Sequence, residues 1–362
     1  MKKIKLFDPV IDENEIKKVV KTIKSKFWAS GSGPGNVLKF ENKFKNYVNS
    51  RDCIAVSSGT AALNLALSLI DIKNKEVILP SLSFVSTAHA ILINGGIPIF
   101  VDVEPQTMCI NPNEIQKSIT AKTIAILPVH FAGFPCNLKD IQDIAKKHKL
   151  TIIEDAAHAV GTTYSKKKIG SHGTAVCFSF HPVKNLAMPT GGLISINHKN
   201  HKQFRKTLLA RRWCGITDRV DSKYDVKELG WNYYMNEFSA AIGLTQLKKL
   251  NSTNKIRKKI AKIYDQEINL EAKIPFENDC SYHLYWILVK NRSRFIKKMM
   301  REKIEVGVHY KPVHQMSLYK NNQVKLPVTE TIGERIVSIP IHPNLTNSNI
   351  EKIIKSVNEF AE

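Results

Sequence analysis

The chain has 362 residues, 43% of them hydrophobic and 24% charged, which is the balance of an ordinary globular protein with room for one large domain and a smaller one. No apolar stretch approaches the roughly 20 residues needed to cross a bilayer, and the start, Met1-Lys2-Lys3-Ile4-Lys5-Leu6, lacks the apolar run and cleavage site of a secretory signal; a cytoplasmic protein with no membrane partner is expected. The net charge of +22 is dispersed: its densest groups, at 166–168, 255–259 and 297–298, are short and not interleaved with aromatics, so they read as solvated faces that draw in an anionic substrate rather than as a nucleic-acid surface.

The first helical pattern runs over residues 13–25. The stretch Gly31-Ser32-Gly33-Pro34-Gly35 looks like a dinucleotide turn, but it follows a helix rather than a strand and lacks the last spacing, so a surface loop is expected. From about residue 50 to 200, short apolar runs alternate with helical stretches. The runs are 53–56, 77–79, 99–101, 124–127, 151–153, 176–180 and 193–196, with helical patterns at 61–70 and 138–147 among them. Strands apolar on both faces and separated by helices predict a mainly parallel α/β sheet, whose ligands bind at the carboxyl ends of the strands. Past residue 236 the spacing predicts helices over 237–250 and 252–268, a strand over 284–289 and a last helix over 349–360. This divides the chain into a large domain, 1–245, and a smaller C-terminal α+β domain, 246–362. The six cysteines, Cys53, Cys109, Cys136, Cys177, Cys214 and Cys280, stand at no metal-ligand spacing; they read as reduced, mostly buried thiols, and no metal site is expected.

Three segments carry candidate chemistry. Ser57-Ser58-Gly59-Thr60 lies between an apolar run and a helix. The glycine admits a ligand close to the backbone, and the helix start offers free N–H groups and a positive dipole end. That makes a phosphate cradle, although the same residues also cap helices that hold no ligand. In Glu154-Asp155-Ala156-Ala157-His158, Asp155 ends a buried strand, where it either caps a helix or turns a carboxylate to a ligand. His158 is then a ligand contact or a structural histidine. In Phe178-Ser179-Phe180-His181-Pro182-Val183-Lys184-Asn185-Leu186, followed by Gly191-Gly192, Lys184 stands in a loop beyond a strand end, framed by apolar residues. A lysine of lowered pKa in such a place can condense with an aldehyde cofactor.

Together these segments resemble the DegT/DnrJ/StrS-type sugar aminotransferases, which are pyridoxal-phosphate (PLP) enzymes of fold type I. The resemblance is carried by Ser-Gly-Thr-Ala-Ala-Leu at 58–63, Glu-Asp-Ala-Ala-His at 154–158 and Ser-Phe-His-Pro-Val-Lys-Asn-Leu at 179–186. It continues through residues 80–88, 128–133, 230–236, 281–285, 308–314 and 339–343, nearly end to end. It implies a fold type I PLP-dependent transferase, with a large domain around a mainly parallel sheet and a smaller C-terminal α+β domain. PLP, passing through its aminated form PMP in turnover, would be carried by Lys184 as the catalytic residue. Asp155 would pair with the ring nitrogen, Phe84 would stack on the ring and His158 would bond its hydroxyl. Gly59, Thr60, Ser179 and Asn232 would hold the phosphate, Asn232 reaching in from the partner of a homodimer with shared active sites. His309, Tyr310 and Lys311 fall where the family lines its sugar and diphosphate groove.

The implied reaction moves an amino group from an amino acid, glutamate, to a nucleotide-linked keto sugar, a 4-keto-6-deoxy hexose, in amino-sugar or polysaccharide biosynthesis. Two other functions share the fold. One is a sugar dehydratase, in which the family replaces the lysine with histidine; the other is a basic DNA-binding regulator. Lys184 argues against the first and the complete cofactor set against the second. Ala187-Met188-Pro189-Thr190 lacks the acidic residue frequent before the glycine pair, and Tyr234 stands where arginine or lysine is frequent. Both departures bear on the substrate rather than on the chemistry.

Overall fold

A computed structural model describes residues 3–322 and 324–361. Helices α1 (Glu13–Ser25) and α2 (Asn36–Val48) lead into strand β1 (Asp52–Val56) and helix α3 (Gly59–Leu67). Then follow β2 (Glu76–Pro80), α4 (Ser86–Ile93), β3 (Ile97–Val101), α5 (Pro112–Ser118), β4 (Thr123–Ile126), α6 (Leu138–His148) and β5 (Thr151–Asp155). A small hairpin, β6 (Thr163–Tyr164) and β7 (Lys167–Lys168), precedes β8 (Ala175–Ser179), β9 (Gly192–Ile196) and α7 (His201–Arg212). A second hairpin, β10 (Ile216–Val220) and β11 (Lys223–Val226), is followed by α8 (Glu237–Glu267), β12 (Tyr285–Leu288), α9 (Arg292–Arg301), α10 (Pro327–Arg335), β13 (Ile336–Ile339) and α11 (Asn347–Phe360).

Seven strands form the central sheet in the order β1-β9-β8-β5-β4-β2-β3. β3, β2, β4, β5 and β8 pair in parallel, while β9 runs antiparallel to both β8 and β1. β1 therefore points the same way as the rest, and only β9 is reversed. The connection from β8 to β9 is a return loop over residues 180–191 rather than a helical crossover, so the strands must oppose one another. That loop carries Lys184 and stays at the carboxyl end of the sheet.

The strands are near-continuous apolar runs because helices cover both faces. On β1 the alternation is plain: Cys53 and Ala55 join one core with Phe40 and Phe44 of α2, whereas Ile54 and Val56 join the other with Ala62 and Leu65 of α3. The first core also takes in α5, α6, α8 and the C-terminal elements; the second takes in α4 and α7. Helix starts carry their own caps. Asp12 and Glu15 form a capping box on α1, Thr346 and Asn349 one on α11, and Asn236 accepts the Ser239 N–H to start α8. Each such cap contributes about 1 kcal/mol. The C-terminal region sets the antiparallel pair β12–β13 beside α9 and α11, and the chain start joins it through a bridge between Ile4 and Ile304. No helix among the described residues is long and apolar enough to cross a membrane.

The structure differs from the sequence expectation at two of the places read above. The two helices expected over 237–250 and 252–268 are one helix of 31 residues, which runs unbroken through residue 245. Just past the break expected at Asn251, Ser252 bonds its hydroxyl back to the Lys249 carbonyl at 2.7 Å within the continuous helix. The glycine loop at 31–35 is not wholly on the surface. Gly31 and Gly33 are buried, and Arg212 Nη2 donates to the Gly31 carbonyl. The Glu237 carboxylate then accepts the Asn36 N–H at 2.6 Å and the Val37 N–H at 3.3 Å, capping α2 from a residue far along the chain.

Candidate active site

The carboxyl ends of β1, β5 and β8 meet at a cavity of about 340 Å3. Its wall includes Gly59, Thr60, Phe84, Asp155, His158, Ser179, Lys184, His309 and Tyr310, so nine of the eleven site residues singled out in the sequence come together here.

Ser58 caps α3 by accepting the Ala61 N–H at 3.1 Å. Gly59 and Thr60 follow at the open start of that helix, and among the described residues their N–H groups take part in no backbone or side-chain hydrogen bond. The capping and phosphate readings are therefore both satisfied, by neighbouring residues. Two glycines make the close approach possible. A Cβ on Gly59 would lie 2.7 Å from Ser179 Cβ, and one on Gly192 would lie 2.2 Å from the Ser58 carbonyl oxygen. Any side chain there would push the ends of β8 and β9 off the helix start.

Asp155 is buried at the end of β5, where its Oδ2 accepts the Thr87 hydroxyl at 2.8 Å and its Oδ1 the Ala157 N–H at 3.1 Å. Burial raises its pKa, while those two bonds and the charge of Lys184 work against the rise. It forms no ion pair among the described residues. A buried carboxylate at a cavity wall with no cation bonded to it fits the protonated ring nitrogen of PLP.

Lys184 is half-buried, and burial pushes its pKa down to about 8 against the opposing pull of Asp155. Its Nζ lies 3.3 Å from His283 Nε2, its one side-chain partner among the described residues. His158 Nδ1 accepts the Ala132 N–H at 3.2 Å, so in the neutral ring Nε2 carries the proton and donates to the Tyr310 hydroxyl at 3.0 Å. Burial, with the charge of Lys184 added, holds His158 well below the usual histidine range. His309 Nδ1 lies 2.9 Å from the Ser338 hydroxyl, and burial depresses its pKa to about 4. Phe84, 55% exposed, stands at the rim with its ring 5.9 Å from that of Tyr310.

Two expected residues do not reach this cavity. Asn232 is exposed, and its backbone bridges to Trp213. Lys311 is exposed as well, because the chain leaves the site at Pro312 and docks through the Val313 N–H on the Ser81 carbonyl. Conversely, the sequence reading assigned no role to Thr87, Phe7 or His283. His283 lies in the 281–285 segment matched to the family, but that match alone gave no hint that its ring meets Lys184. Phe7 comes from the chain start, and its ring stacks on His283 at 5.7 Å between centroids.

A lysine of lowered pKa, a buried carboxylate lacking a cation and an open helix start, all at the carboxyl edge of a sheet of this topology, define a fold type I PLP-dependent transferase. Residues 9–358 match the DegT/DnrJ/EryC1/StrS aminotransferase family, and the chain belongs to that family. PLP is its cofactor. The uncharacterized protein MJ1066 of Methanocaldococcus jannaschii is 36% identical over 98% of this chain and 96% of its own length. Spr1654 of Streptococcus pneumoniae, solved in apo, PLP and PMP forms, superposes in its PLP form with a TM-score of 0.93 at 25% identity, covering 98% of that chain and 99% of this one. Helicobacter pylori PseC, an aminotransferase involved in the biosynthesis of pseudoaminic acid, superposes with a TM-score of 0.92 at 27% identity, over 99% of both chains. The sugar aminotransferase CalS13 of Micromonospora echinospora gives 0.90 at 26%, over 98% of this chain and 99% of its own.

Proposed function

We propose that this enzyme transfers an amino group from an amino acid, glutamate, to a nucleotide-linked keto sugar, a 4-keto-6-deoxy hexose aminated at C4, and that it works in the cytoplasm as a homodimer with shared active sites. The observation that carries the reading is the convergence of Lys184 and Asp155 on one cavity, in a chain whose structural neighbours include named sugar aminotransferases. The net charge of +22 favours an anionic, nucleotide-bearing acceptor.

When bound, PLP supplies an electron-poor ring that takes up the electron pair left as a proton leaves the donor's α-carbon. Asp155, held by Thr87 and the Ala157 N–H, presents its carboxylate to the ring nitrogen. The open N–H groups of Gly59 and Thr60, with the Ser179 hydroxyl nearby, bind the phosphate at the positive end of α3. Lys184, with its pKa near 8, is partly unprotonated at neutral pH and moves the proton at the α-carbon through Nζ. His158 and Tyr310 hold one wall of the cavity through their mutual hydrogen bond.

The dimer reading draws support from two features. Asn232 lies outside the cavity of its own chain, so its expected phosphate contact needs a second copy. In addition, an apolar groove of about 420 Å3 runs between α1, where Ile16 and Val20 are exposed, and the residues after Lys184, including Met188 and Pro189. A partner seated there would meet the active-site loop directly.

The deciding experiment incubates the purified protein with glutamate and a panel of nucleotide keto sugars and reads the products by mass spectrometry. Amination of a 4-keto sugar in preference to a 3-keto sugar is expected. Preference for the 3-keto sugar overturns the position, and turnover of free keto acids with no nucleotide sugar aminated overturns the substrate class.

A further inference from the structure

Lys184 has to be held in place in two situations: while it is bonded to the cofactor, and while it is free and moving a proton. Only the second depends on the surrounding side chains. The free amino group has one side-chain hydrogen-bond partner among the described residues, His283 Nε2 at 3.3 Å. Asp155, the nearby carboxylate, is occupied by Thr87 and the Ala157 N–H.

His283 is itself unusually fixed. Its backbone N–H donates to the Ala132 carbonyl at 2.9 Å. Its ring stacks on Phe7, 5.7 Å away and 19° from parallel, and lies 4.5 Å from the ring of His158. It is buried, and its Nδ1 has no hydrogen-bond partner among the described residues. A protonated lysine amino group only donates, so toward it Nε2 accepts and the neutral ring carries its proton on Nδ1. A neutral ring is also the one its surroundings demand. Asp155, at the end of β5, faces Lys184, while Lys184 itself, His158, Arg257 of α8 and His309 face His283. Asp155 is the only acid among them, so a second positive charge on His283 beside Lys184 would be strongly opposed.

We propose that His283 is a positioning residue for Lys184: its Nε2 accepts a hydrogen bond from the lysine amino group and holds that group in reach of the reacting carbon whenever no covalent bond does so. Phe7 and the Ala132 carbonyl fix the imidazole, and the imidazole fixes the amine. The inference rests on the role given to Lys184 above and is independent of the identity of the sugar.

The first test uses protein stripped of cofactor. Lys184 is acetylated with acetic anhydride over a range of pH and the labelled peptide is quantified by mass spectrometry. His283→Phe keeps an aromatic ring against Phe7 but removes the acceptor. The protonated lysine then loses a stabilising bond, and the labelling midpoint is expected to move to lower pH by roughly half to one pH unit. In the cofactor-loaded protein, exchange of the glutamate α-hydrogen for solvent deuterium is expected to slow about tenfold or more, with half-saturating glutamate little changed. His283→Gln, whose amide oxygen accepts a hydrogen bond, is expected to recover much of both. A His283→Phe protein with wild-type labelling midpoint and wild-type exchange rate overturns the proposal. If that variant does not fold, 15N NMR of histidine in the stripped protein decides: Lys184→Met should shift the His283 Nε2 resonance, and an unmoved resonance overturns the proposal equally. Retained transamination in Lys184→Ala would instead overturn the reading of Lys184 itself.

Discussion

The ends of β5 and β8 and the two segments at 232 and 309–311 were all expected to build the site, yet they behave differently. Asp155, Ser179 and Lys184 sit on or just past strand ends, and all three line the cavity. Of the four residues in the other two segments, His309 and Tyr310 reach it, whereas Asn232 and Lys311 do not. A residue at the end of a buried parallel strand is placed by the sheet, whose spacing is fixed. A residue on a connecting segment is placed by what that segment docks on, which for Asn232 is Trp213, away from the cavity of its own chain.

The largest expected effect tests the strand-end group. Lys184→Ala should lower transamination by about 10²–10⁴-fold or more and abolish the absorbance band of the lysine-bonded cofactor. Borohydride treatment of the wild type should fix the cofactor on the peptide that contains Lys184. Full activity in the variant would remove the mechanism.

Asp155→Asn separates function from stability at the same strand end. Its pKa is raised by burial, so above that pKa the folded protein carries a buried charge, a cost that is relieved as pH falls through it. Cofactor-free Asp155→Asn should therefore melt higher than the wild type at neutral pH, with the gap closing on acidification, while its activity falls by about 10²-fold or more. Melting curves that differ by the same amount at every pH would contradict the sign.

Asn232→Ala tests the connecting segments. A lost bond to a phosphate group should weaken cofactor retention about tenfold or more. Mixing it with Lys184→Ala should restore part of the activity through hybrid dimers that hold one intact site. No recovery, from variants each nearly inactive alone, would place Asn232 outside a shared site.

Lys311→Ala should give the smallest effect. An exposed lysine acting on a diphosphate as a point charge should raise the KM for the nucleotide sugar only a few-fold, in a salt-dependent way, and leave kcat unchanged. A large fall in kcat would mean that the residue enters the cavity in the complex.

The legible parts of the fold were those where local rules and tertiary packing agree. Strand β1 is apolar at every position from Cys53 to Val56 because both of its faces are covered, and the short continuous run among helical stretches reveals it. Helices α2 and α7 were not read. The Gly31–Gly35 loop hid the start of α2, which is capped by Glu237 from another part of the chain, and α7 is so rich in basic residues that its apolar stripe is faint. In the site, Gly59, Asp155 and Lys184 were brought together by the family resemblance of their segments, since each segment alone left a purely structural reading open. His283 was not, since its contact with Lys184 spans 99 residues and no spacing rule joins them.

Helix α8 has a mechanical consequence. At 1.5 Å per residue its 31 residues make a rod about 46 Å long. One end lies against α1 and α2, with Gly243 close to Met188 of the active-site loop; further along, Asn254 bonds the Val160 carbonyl, and Tyr264 packs on β12 through Tyr285. A member shared by both halves of a machine transmits tilt from one to the other. Any rotation of the C-terminal region against the sheet must swing or bend this rod, and with it the floor beneath Lys184.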